Sequence, residues 1–298
     1  MRTVFLGTSA FAAAVLERLG ESEHRPALVV TRPDRPRGRG RRVEPPPVAV
    51  TARALGLEVD QPEDLNSPGA RARIQAAEPD VVCVCAFGAL IKEPLLSDHE
   101  MLNVHPSLLP RWRGAAPIER AIQAGDEETG VSIMKVTAGL DSGPVCLQAT
   151  EPIRPDDTYG TLATRLETVG AELLLRALDV RPDCREQDDS LATYAEKVAP
   201  ADRRLDPSLP AVALERTVRA LAPHIGAFVE LEGGERLRVN SAAVDSQARP
   251  TPGRLTADGE RLLLGCAEGA LELLSVQPPG GRAMDAAAYL RGHPLTSS

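Results

Sequence analysis

The sequence predicts an α/β domain with a doubly wound, mostly parallel sheet, followed by a second domain of short strands. Strand and helix patterns alternate through the first half of the 298 residues, as they do in doubly wound sheets. Prolines and charged residues are then concentrated in residues 180–210, which is typical of a connecting segment. Beyond this segment, short strand patterns are separated by Gly-Gly and Asp-Gly turns. That pattern indicates a small β-barrel or a β-sandwich.

Apolar periodicity and helix-end signals place the elements of the first domain. Ser9 can cap a helix with one apolar face, and Pro117 and Gly125 suit the first turn and the end of another helix. The apolar run at residues 80–86 is typical of a strand buried on both faces. The other strands are predicted at residues 3–6, 26–31, 101–104, 131–136 and 145–149. The other helices are predicted at residues 64–78 and 158–178.

The second domain is predicted to begin with a helix at residues 211–221. Its strands are predicted at residues 227–231, 236–239, 253–255, 261–264 and 270–276. The change in composition sets the expected boundaries, with a first domain over residues 1–186, a linker over residues 187–205 and the second domain over residues 206–298.

Charge and composition exclude several classes of protein. The formal net charge of −8 argues against a general nucleic-acid coat, and the 43% hydrophobic content is enough for a buried core. No apolar run reaches the ~20 residues of a transmembrane helix, and the amino terminus has no long apolar signal region. We therefore expect a cytoplasmic protein with no membrane partner. The five cysteines contain no C-x-x-C pair, which favours neither a disulfide framework nor a zinc ribbon.

Asn103 and His105 are the first candidate catalytic residues. They alternate on a predicted strand, so their side chains point to the same side, and Pro106 ends the strand directly after His105. In open α/β sheets, ligands bind in the crevice beyond the carboxyl ends of the strands. An amide and an imidazole in such a crevice can act as an oxyanion donor and a base. The alternative is a histidine that hydrogen-bonds to nearby backbone.

Asp141 is the next candidate, in the segment G-L-D-S-G-P at residues 139–144. Glycine and proline allow the backbone to bend tightly around this carboxylate, which could orient the imidazole or share a proton with it. The alternative is a turn aspartate that bonds to its own backbone.

Arginines are concentrated in one segment. Residues 32–42 contain six arginines and one aspartate, a local charge of +5 in a chain that is otherwise acidic. The glycines and prolines among them predict no regular structure. Guanidinium groups bind phosphate through paired hydrogen bonds, so this arginine segment is a candidate contact for phosphate or RNA. The alternative is a solvated surface loop.

A longer motif begins at Asn103 and reads N-V-H-P-S-L-L-P-R-W-R-G-A-A-P. Together with the arginine segment and G-L-D-S-G-P-V, it resembles the methionyl-tRNA formyltransferase family, and W-R-G-A-A-P is typical of the branch that acts on tRNA. Looser matches, T-Y-A-E-K-V and Y-L-R-G-H, extend the resemblance over almost the whole chain. Phe87 departs from the family pattern, because tyrosine is common at that position.

The resemblance implies a Rossmann-like formyltransferase core with the catalytic residues Asn103, His105 and Asp141, and a carboxyl-terminal OB-like β-barrel domain that contacts tRNA. The expected reaction transfers the formyl group of 10-formyltetrahydrofolate to the amino group of methionyl initiator tRNA, in a monomer and without a metal ion. The resemblance places folate contacts at Phe87, Gly88, Leu90, Ser107, Leu108, Leu109 and Pro110. It places tRNA contacts at Arg35, Arg37, Arg39, Arg41 and Arg42.

Two other functions stay open from the sequence. A sugar N-formyltransferase or a formyltetrahydrofolate hydrolase would share the core, although the arginine segment and W-R-G-A-A-P argue against both. An RNA-binding module with a degenerate core is opposed by the intact set of Asn103, His105 and Asp141. Residues 201–298 hold 11 arginines and 12 acidic residues, so we expect no strongly basic tRNA platform in the second domain.

Overall fold

The computed structural model describes residues 1–37, 42–231 and 233–295, with only the backbone described at Arg37. Contacts divide the chain into two units. The first unit contains Met1–Gly114, Glu128–Pro152 and Ala163–Ala195, and the second contains Ala115–Glu127, Ile153–Leu162 and the chain from Glu196 onward. The domain and linker boundaries expected from composition stay a prediction.

Strands and helices alternate along the described chain. The strands are β1 Thr3–Gly7, β2 Pro26–Val30, β3 Arg35–Arg37, β4 Arg42–Glu44, β5 Val59–Asp60, β6 Val81–Cys85, β7 Met101–His105, β8 Arg113–Gly114, β9 Glu128–Lys135, β10 Val145–Pro152, β11 Tyr194–Ala195, β12 Ala227–Glu230, β13 Arg236–Asp245, β14 Leu255–Asp258, β15 Arg261–Gly265, β16 Ala270–Gln277 and β17 Met284–Asp285. The α-helices are α1 Ala10–Gly20, α2 Pro47–Ala54, α3 Pro68–Ala76, α4 Leu95–Asp98, α5 Pro117–Ala124, α6 Tyr159–Val180, α7 Ala211–Leu221 and α8 Ala286–Gly292. None of the described helices combines the length and the apolarity that a membrane span requires.

The first unit is built on a seven-stranded sheet with the order β10-β9-β7-β6-β1-β2-β5 among its described residues. The strands from β7 to β5 run parallel, whereas β9 is antiparallel to both β7 and β10. The chain passes from β1 to β2 on one side and later places β6 on the other side of β1. This reversal creates a crevice at the carboxyl ends of β1 and β6, where doubly wound sheets bind ligands. The predicted mostly parallel sheet is confirmed.

Local signals in the sequence set the ends of the helices. Ser9 caps α1 by accepting a hydrogen bond from the amide of Ala12. Helix α5 begins at Pro117 and is capped after Ala124 by Gly125, which has a left-handed φ of 75°. The apolar face of α1 is buried at Phe11, Val15, Leu16 and Leu19. β1 and β6 are buried along their whole length, because helices or loops cover both faces of a parallel sheet.

The prediction of no regular structure in the arginine segment is wrong. β3 and β4 pair as antiparallel strands, with Pro36 opposite Val43. Proline is tolerated in this ribbon because both of its strands are edge strands, and proline occurs in sheets mainly on edge strands. Residues 38–41, between the two strands, lie outside the described chain. The prolines after β4 lead into α2, since proline is favoured in a first helical turn.

The second unit contains an antiparallel sheet with the order β12-β13-β16-β15-β14, and β17 pairs with β16. α7 covers the predicted residues and packs Leu214 and Val218 into one apolar cluster with Leu237 and Leu273 from the strands. The predicted second domain of short strands is confirmed, and its strands are antiparallel. The short helix α8 has no counterpart among the predicted elements, because two turns give too few residues for a periodic signal.

Two cysteines depart from the expectation that disulfides are not favoured. Cys146 and Cys184 are joined by a disulfide across 38 residues of sequence. They lie opposite each other because their neighbours Val145 and Arg185 form an antiparallel bridge. Sequence spacing could not show this pair, since it depends on the register between two distant segments.

Candidate active site

The predicted catalytic side chains converge at the carboxyl end of β7. Asn103 and His105 lie on this strand, and Asp141 lies in the loop between β9 and β10. The Asp141 carboxylate is 3.5 Å from Nδ2 of Asn103 and 3.7 Å from Nδ1 of His105. Because β9 pairs antiparallel with β7, with Ser132 opposite His105, the loop leaves β9 on the amino-terminal side of Asn103 and turns back to reach both side chains. The fold therefore places an amide, an imidazole and a carboxylate together at one end of the sheet.

His105 is buried, with 4% of its surface exposed, and oxygen atoms face both of its ring nitrogens. Nε2 lies 2.9 Å from the carbonyl oxygen of Trp112. A carbonyl can only accept a hydrogen bond, so we assign a proton to Nε2, which leaves Nδ1 on the Asp141 side to gain or lose one. The histidine therefore does bond to nearby backbone, and that bond fixes the tautomer of a potential base.

Asp141 has a left-handed backbone conformation, with φ 45°, that residues other than glycine rarely adopt. Its carboxylate accepts a 2.9 Å hydrogen bond from the backbone amide of Gly114. Its backbone carbonyl accepts a 2.8 Å hydrogen bond from the side chain of Gln187. Two segments far away in sequence therefore hold this residue in position.

Trp112 is another residue of the site with a left-handed backbone, with φ 63°. Its amide donates a 2.9 Å hydrogen bond to Oγ1 of Thr193. Gly114 approaches Ala195 so closely that a Cβ atom would lie 2.8 Å from the Ala195 carbonyl oxygen. Residues that composition assigned to the linker thus support the site. Sequence reasoning missed Gln187 and Thr193, because their contacts depend on the pairing of β8 with β11.

The S-L-L-P segment, one of the two predicted folate segments, is extensively hydrogen-bonded. Ser107 is fully buried, and its hydroxyl donates a 2.6 Å bond to a backbone carbonyl four residues later. The Ser132 hydroxyl donates to the Ser107 carbonyl at 2.6 Å and accepts from the Leu109 amide at 3.1 Å. Leu109 is buried, whereas Leu108 and Pro110 are partly exposed. Surface for a ligand on this segment therefore belongs mainly to Leu108 and Pro110.

The other predicted folate segment follows β6 at the switch point of the sheet. Side chains donate hydrogen bonds to three of its carbonyl groups: Thr8 to Phe87 at 2.8 Å, Arg32 to Gly88 at 2.6 Å and Asn66 to Leu90 at 3.0 Å. The Phe87 ring is buried in the core, whereas Leu90 is 68% exposed. An exposed leucine beside the switch point offers apolar surface to a flat ring system.

The predicted tRNA contacts lie on or between β3 and β4. Arg35 and Arg42 are exposed, and Arg37 is described by its backbone alone. Arg39 and Arg41 lie outside the described residues. The base of the ribbon is tied to the sheet, because Nε2 of Gln61 donates to the Arg32 carbonyl at 2.9 Å and to the Asp34 carboxylate at 2.7 Å.

Cysteine chemistry is not available at the end of β6. Cys83 and Cys85 are fully buried, as expected for small apolar groups in a buried strand. Burial raises the pKa of the Cys83 thiol to about 12 and also raises the pKa of Cys85. Neither residue supplies a thiolate nucleophile at neutral pH. Among the described residues, no group of three or more His, Cys, Asp or Glu side chains is arranged to hold a metal ion.

Comparison with known proteins relates this site to an enzyme family. Residues 1–178 match the family model described as formyl transferase, and residues 197–294 match the model of the formyl transferase carboxyl-terminal domain. The chain is 44% identical to the methionyl-tRNA formyltransferase of Ruegeria pomeroyi, over 99% of this chain and 98% of that protein. It is 45% identical to that of Methylococcus capsulatus, also over 99% of this chain and 98% of that protein. The chain belongs to the methionyl-tRNA formyltransferase family.

Solved structures support the fold of this family member. The methionyl-tRNA formyltransferase of Clostridium thermocellum superposes with a TM-score of 0.62 at 16% identity, over 83% of this chain and 95% of that chain. HypX of Aquifex aeolicus, solved with tetrahydrofolic acid, gives a TM-score of 0.68 at 19% identity. That alignment covers 97% of this chain and 47% of HypX, so it shows a shared fold only.

Proposed function

We propose that this chain transfers the formyl group of 10-formyltetrahydrofolate to the amino group of methionyl initiator tRNA, and that Asn103, His105 and Asp141 are the catalytic residues. The observation that carries this assignment is their proximity, since the Asp141 carboxylate lies 3.5 Å from the Asn103 amide and 3.7 Å from the His105 ring. Membership of the methionyl-tRNA formyltransferase family supplies the reaction.

The reaction needs an oxyanion donor and a route for one proton. The neutral amine attacks the formyl carbon, and the new C–N bond pushes electrons onto the formyl oxygen. Asn103 would donate a hydrogen bond to that oxygen, a contribution of about 3 kcal/mol in comparable oxyanion sites. The amine nitrogen then loses a proton, and the folate nitrogen gains one as its bond to the formyl carbon breaks. Protons and electrons therefore balance without a further reactant.

His105 and Asp141 suit the proton transfers. Because Nε2 is bonded to the Trp112 carbonyl, Nδ1 is the ring atom that can take the proton. The Asp141 carboxylate 3.7 Å away is too distant for a strong hydrogen bond in this conformation. A small movement on substrate binding would bring these groups into contact, as happens in many catalytic sites.

The folate segments offer apolar surface to the flat rings of the co-substrate. Leu90, Leu108 and Pro110 provide accessible apolar surface, while the hydrogen bonds of their backbone hold both segments in place. In this proposal Ser107, Leu109, Phe87 and Gly88 shape the pocket mainly through buried packing and fixed backbone. Proximity and orientation then supply much of the rate acceleration.

The arginine segment is the proposed tRNA contact. Arg35, Arg37, Arg39, Arg41 and Arg42 would bind backbone phosphates, which arginine does with paired hydrogen bonds. Arg32, at the base of the ribbon, donates to the Gly88 carbonyl in the proposed folate segment. The ribbon is therefore anchored next to the proposed folate segment. A cytoplasmic location and a monomeric state are parts of this proposal.

The test is formyl transfer from labelled 10-formyltetrahydrofolate to methionyl initiator tRNA, methionyl elongator tRNA and sugar-nucleotide amines. We expect formylation of the initiator tRNA alone. Preference for the sugar amines, or hydrolysis of the folate without transfer, would favour one of the other formyltransferase activities. Failure to bind folate at all would favour an RNA-binding module.

A further inference from the structure

Gln187 connects two backbone carbonyls of the Asp141 loop to a buried arginine. Its Nε2 donates to the carbonyl of Asp141 at 2.8 Å and to the carbonyl of Gly143 at 2.7 Å. Its Oε1 accepts from Nε of Arg113 at 3.0 Å. Both the nitrogen and the oxygen of the Gln187 side-chain amide are therefore hydrogen-bonded.

These contacts form a closed ring around Asp141. Gly114 donates its amide to the Asp141 carboxylate, and Gly114 is covalently joined to Arg113. Arg113 donates to Gln187, and Gln187 donates to the Asp141 carbonyl. The Arg113–Gly114 segment thus holds the Asp141 carboxylate directly, through the Gly114 amide. It holds the Asp141 backbone indirectly, through Gln187. A displacement of either contact moves the carboxylate relative to His105.

The anchor of this ring is rigid. Arg113 is only 3% exposed, and its amide donates a 2.9 Å bond to the carbonyl of Thr193. A second guanidinium nitrogen lies 2.7 Å from the carboxylate of Asp189, which is mostly exposed. The guanidinium plane of Arg113 is therefore fixed. Because its Nε–H can only donate, the oxygen of the Gln187 amide must face it.

Asp141 needs such support because its backbone is left-handed. A non-glycine residue keeps this conformation only where its surroundings impose it. Gly143 is constrained too, since a Cβ atom there would lie 1.9 Å from the Lys135 carbonyl oxygen. Gln187 bonds to the carbonyl groups of both residues, so it defines the curvature of the loop that presents the carboxylate.

We propose that Gln187 is a positioning residue for catalysis, which holds the Asp141 carboxylate at the distance from His105 that proton transfer requires. The proposal rests on the proposed function, because it takes Asp141 to be catalytic. Only an amide has the required groups: two N–H donors for the carbonyls and one oxygen for Arg113. Glutamate would place an oxygen against the carbonyls, and methionine would leave all three partners unpaired.

The experiment compares Gln187→Met and Gln187→Glu with the control Glu186→Met, an exposed neighbour in the same segment. Formylation kinetics are combined with the melting temperature and with the ¹⁵N shifts of the His105 ring. We expect both Gln187 variants to lower kcat about 10- to 100-fold, as small misplacements of catalytic groups do, with KM for folate changed less than about twofold. The Nδ1 shift of His105 should move in both variants and not in the control.

A double variant separates positioning from general stability. In an Asp141→Asn background, Gln187→Met should lower kcat by no more than about twofold further, because the group that it positions has been removed. Full additivity of the two losses would overturn the proposal. So would unchanged kcat together with an unchanged His105 shift, or a loss explained by a lower melting temperature alone.

A third outcome distinguishes this inference from the proposed function. If the His105 shift moves in the Gln187 variants while kcat is unchanged, Gln187 does position Asp141. The catalytic role of Asp141 would then be the part that fails.

Discussion

The Nε2 atom of His105 lies 2.9 Å from the carbonyl oxygen of Trp112. This single contact determines the chemistry of the ring, because the carbonyl keeps a proton on Nε2 and directs Nδ1 towards Asp141. Trp112 can present its carbonyl in this direction because its own backbone is left-handed and its amide is bonded to Thr193. The proton site is therefore set by backbone geometry that three separate segments create.

Removal of the imidazole should abolish most of the activity. We expect His105→Ala to lower kcat by about 10²- to 10⁴-fold, the usual contribution of a general acid–base group. Folate affinity should change little, because the folate segments are held by their own hydrogen bonds. Kinetics and fluorescence-detected folate binding measure the two effects. His99→Ala, outside the site, is the control, and near-normal formylation by His105→Ala would remove this residue from the mechanism.

Thr193 should affect both stability and catalysis through its hydrogen bond with Trp112. Thr193→Val keeps the shape but removes the hydroxyl that accepts from the partly buried Trp112 amide, which should lower the free energy of unfolding by about 1 kcal/mol. Because the Trp112 carbonyl orients His105, kcat should fall more than in a variant that loses the same stability at a position outside the site. Urea unfolding and kinetics test this, with the exposed Thr168→Val as the control. Stability loss without any change in kcat would contradict the coupling.

Neutralising the described arginines of the ribbon should weaken binding of tRNA far more than binding of folate. Arg35→Gln and Arg42→Gln each remove one exposed cation. The slope of log K against log salt should decrease by about 0.7–0.9 for each phosphate group that the variant no longer neutralises. Filter binding at several salt concentrations measures it, with the exposed Arg18→Gln on α1 as the control. Equal losses of affinity for tRNA and folate would argue against an RNA contact here.

Acid should destabilise the second unit through Asp245. Its carboxylate accepts hydrogen bonds from Arg261 and from the amides of Ala248 and Gln247, which lower its pKa to about 2. A lowered folded-state pKa means that the stabilisation is present above the unfolded value of about 3.9 and is lost as the pH falls towards 2.

The comparison of Asp245→Asn with the wild type tests this linkage. The variant should be less stable at neutral pH and should lose less stability between neutral pH and about pH 3. Urea midpoints across that range measure the difference, and Asp156→Asn in an exposed loop is the control. Parallel pH profiles for Asp245→Asn and the wild type would rule out this contribution.

The Cys146–Cys184 disulfide should stabilise the first unit under oxidising conditions. Closing a loop of this length restricts the unfolded chain and is worth about 3–4 kcal/mol. We expect Cys146→Ser with Cys184→Ser to lower the free energy of unfolding by that amount without reductant, and to match the reduced wild type. Cys266→Ser, at a free buried thiol, is the control for the loss of a cysteine. No effect of reductant on the wild type would show that the disulfide contributes nothing.

Most of the regular structure could be predicted from local patterns. The apolar run of β6, the Ser9 cap of α1 and the Pro117 and Gly125 signals of α5 each specify an element through interactions within a few residues. The arginine ribbon was predicted wrongly, because proline is unfavourable within a sheet but tolerated in a two-stranded ribbon, where Pro36 lies.

The sequence by itself determined that Asn103 and His105, the proposed catalytic residues, share one side of a strand that Pro106 ends. It also determined the family, through motifs that lie close together in the chain. Only the tertiary structure decided which nitrogen of His105 faces Asp141, and that Gln187 and Thr193 support the site. The physical reason is that these contacts join segments up to 81 residues apart, where register and backbone conformation, not local propensity, place the atoms.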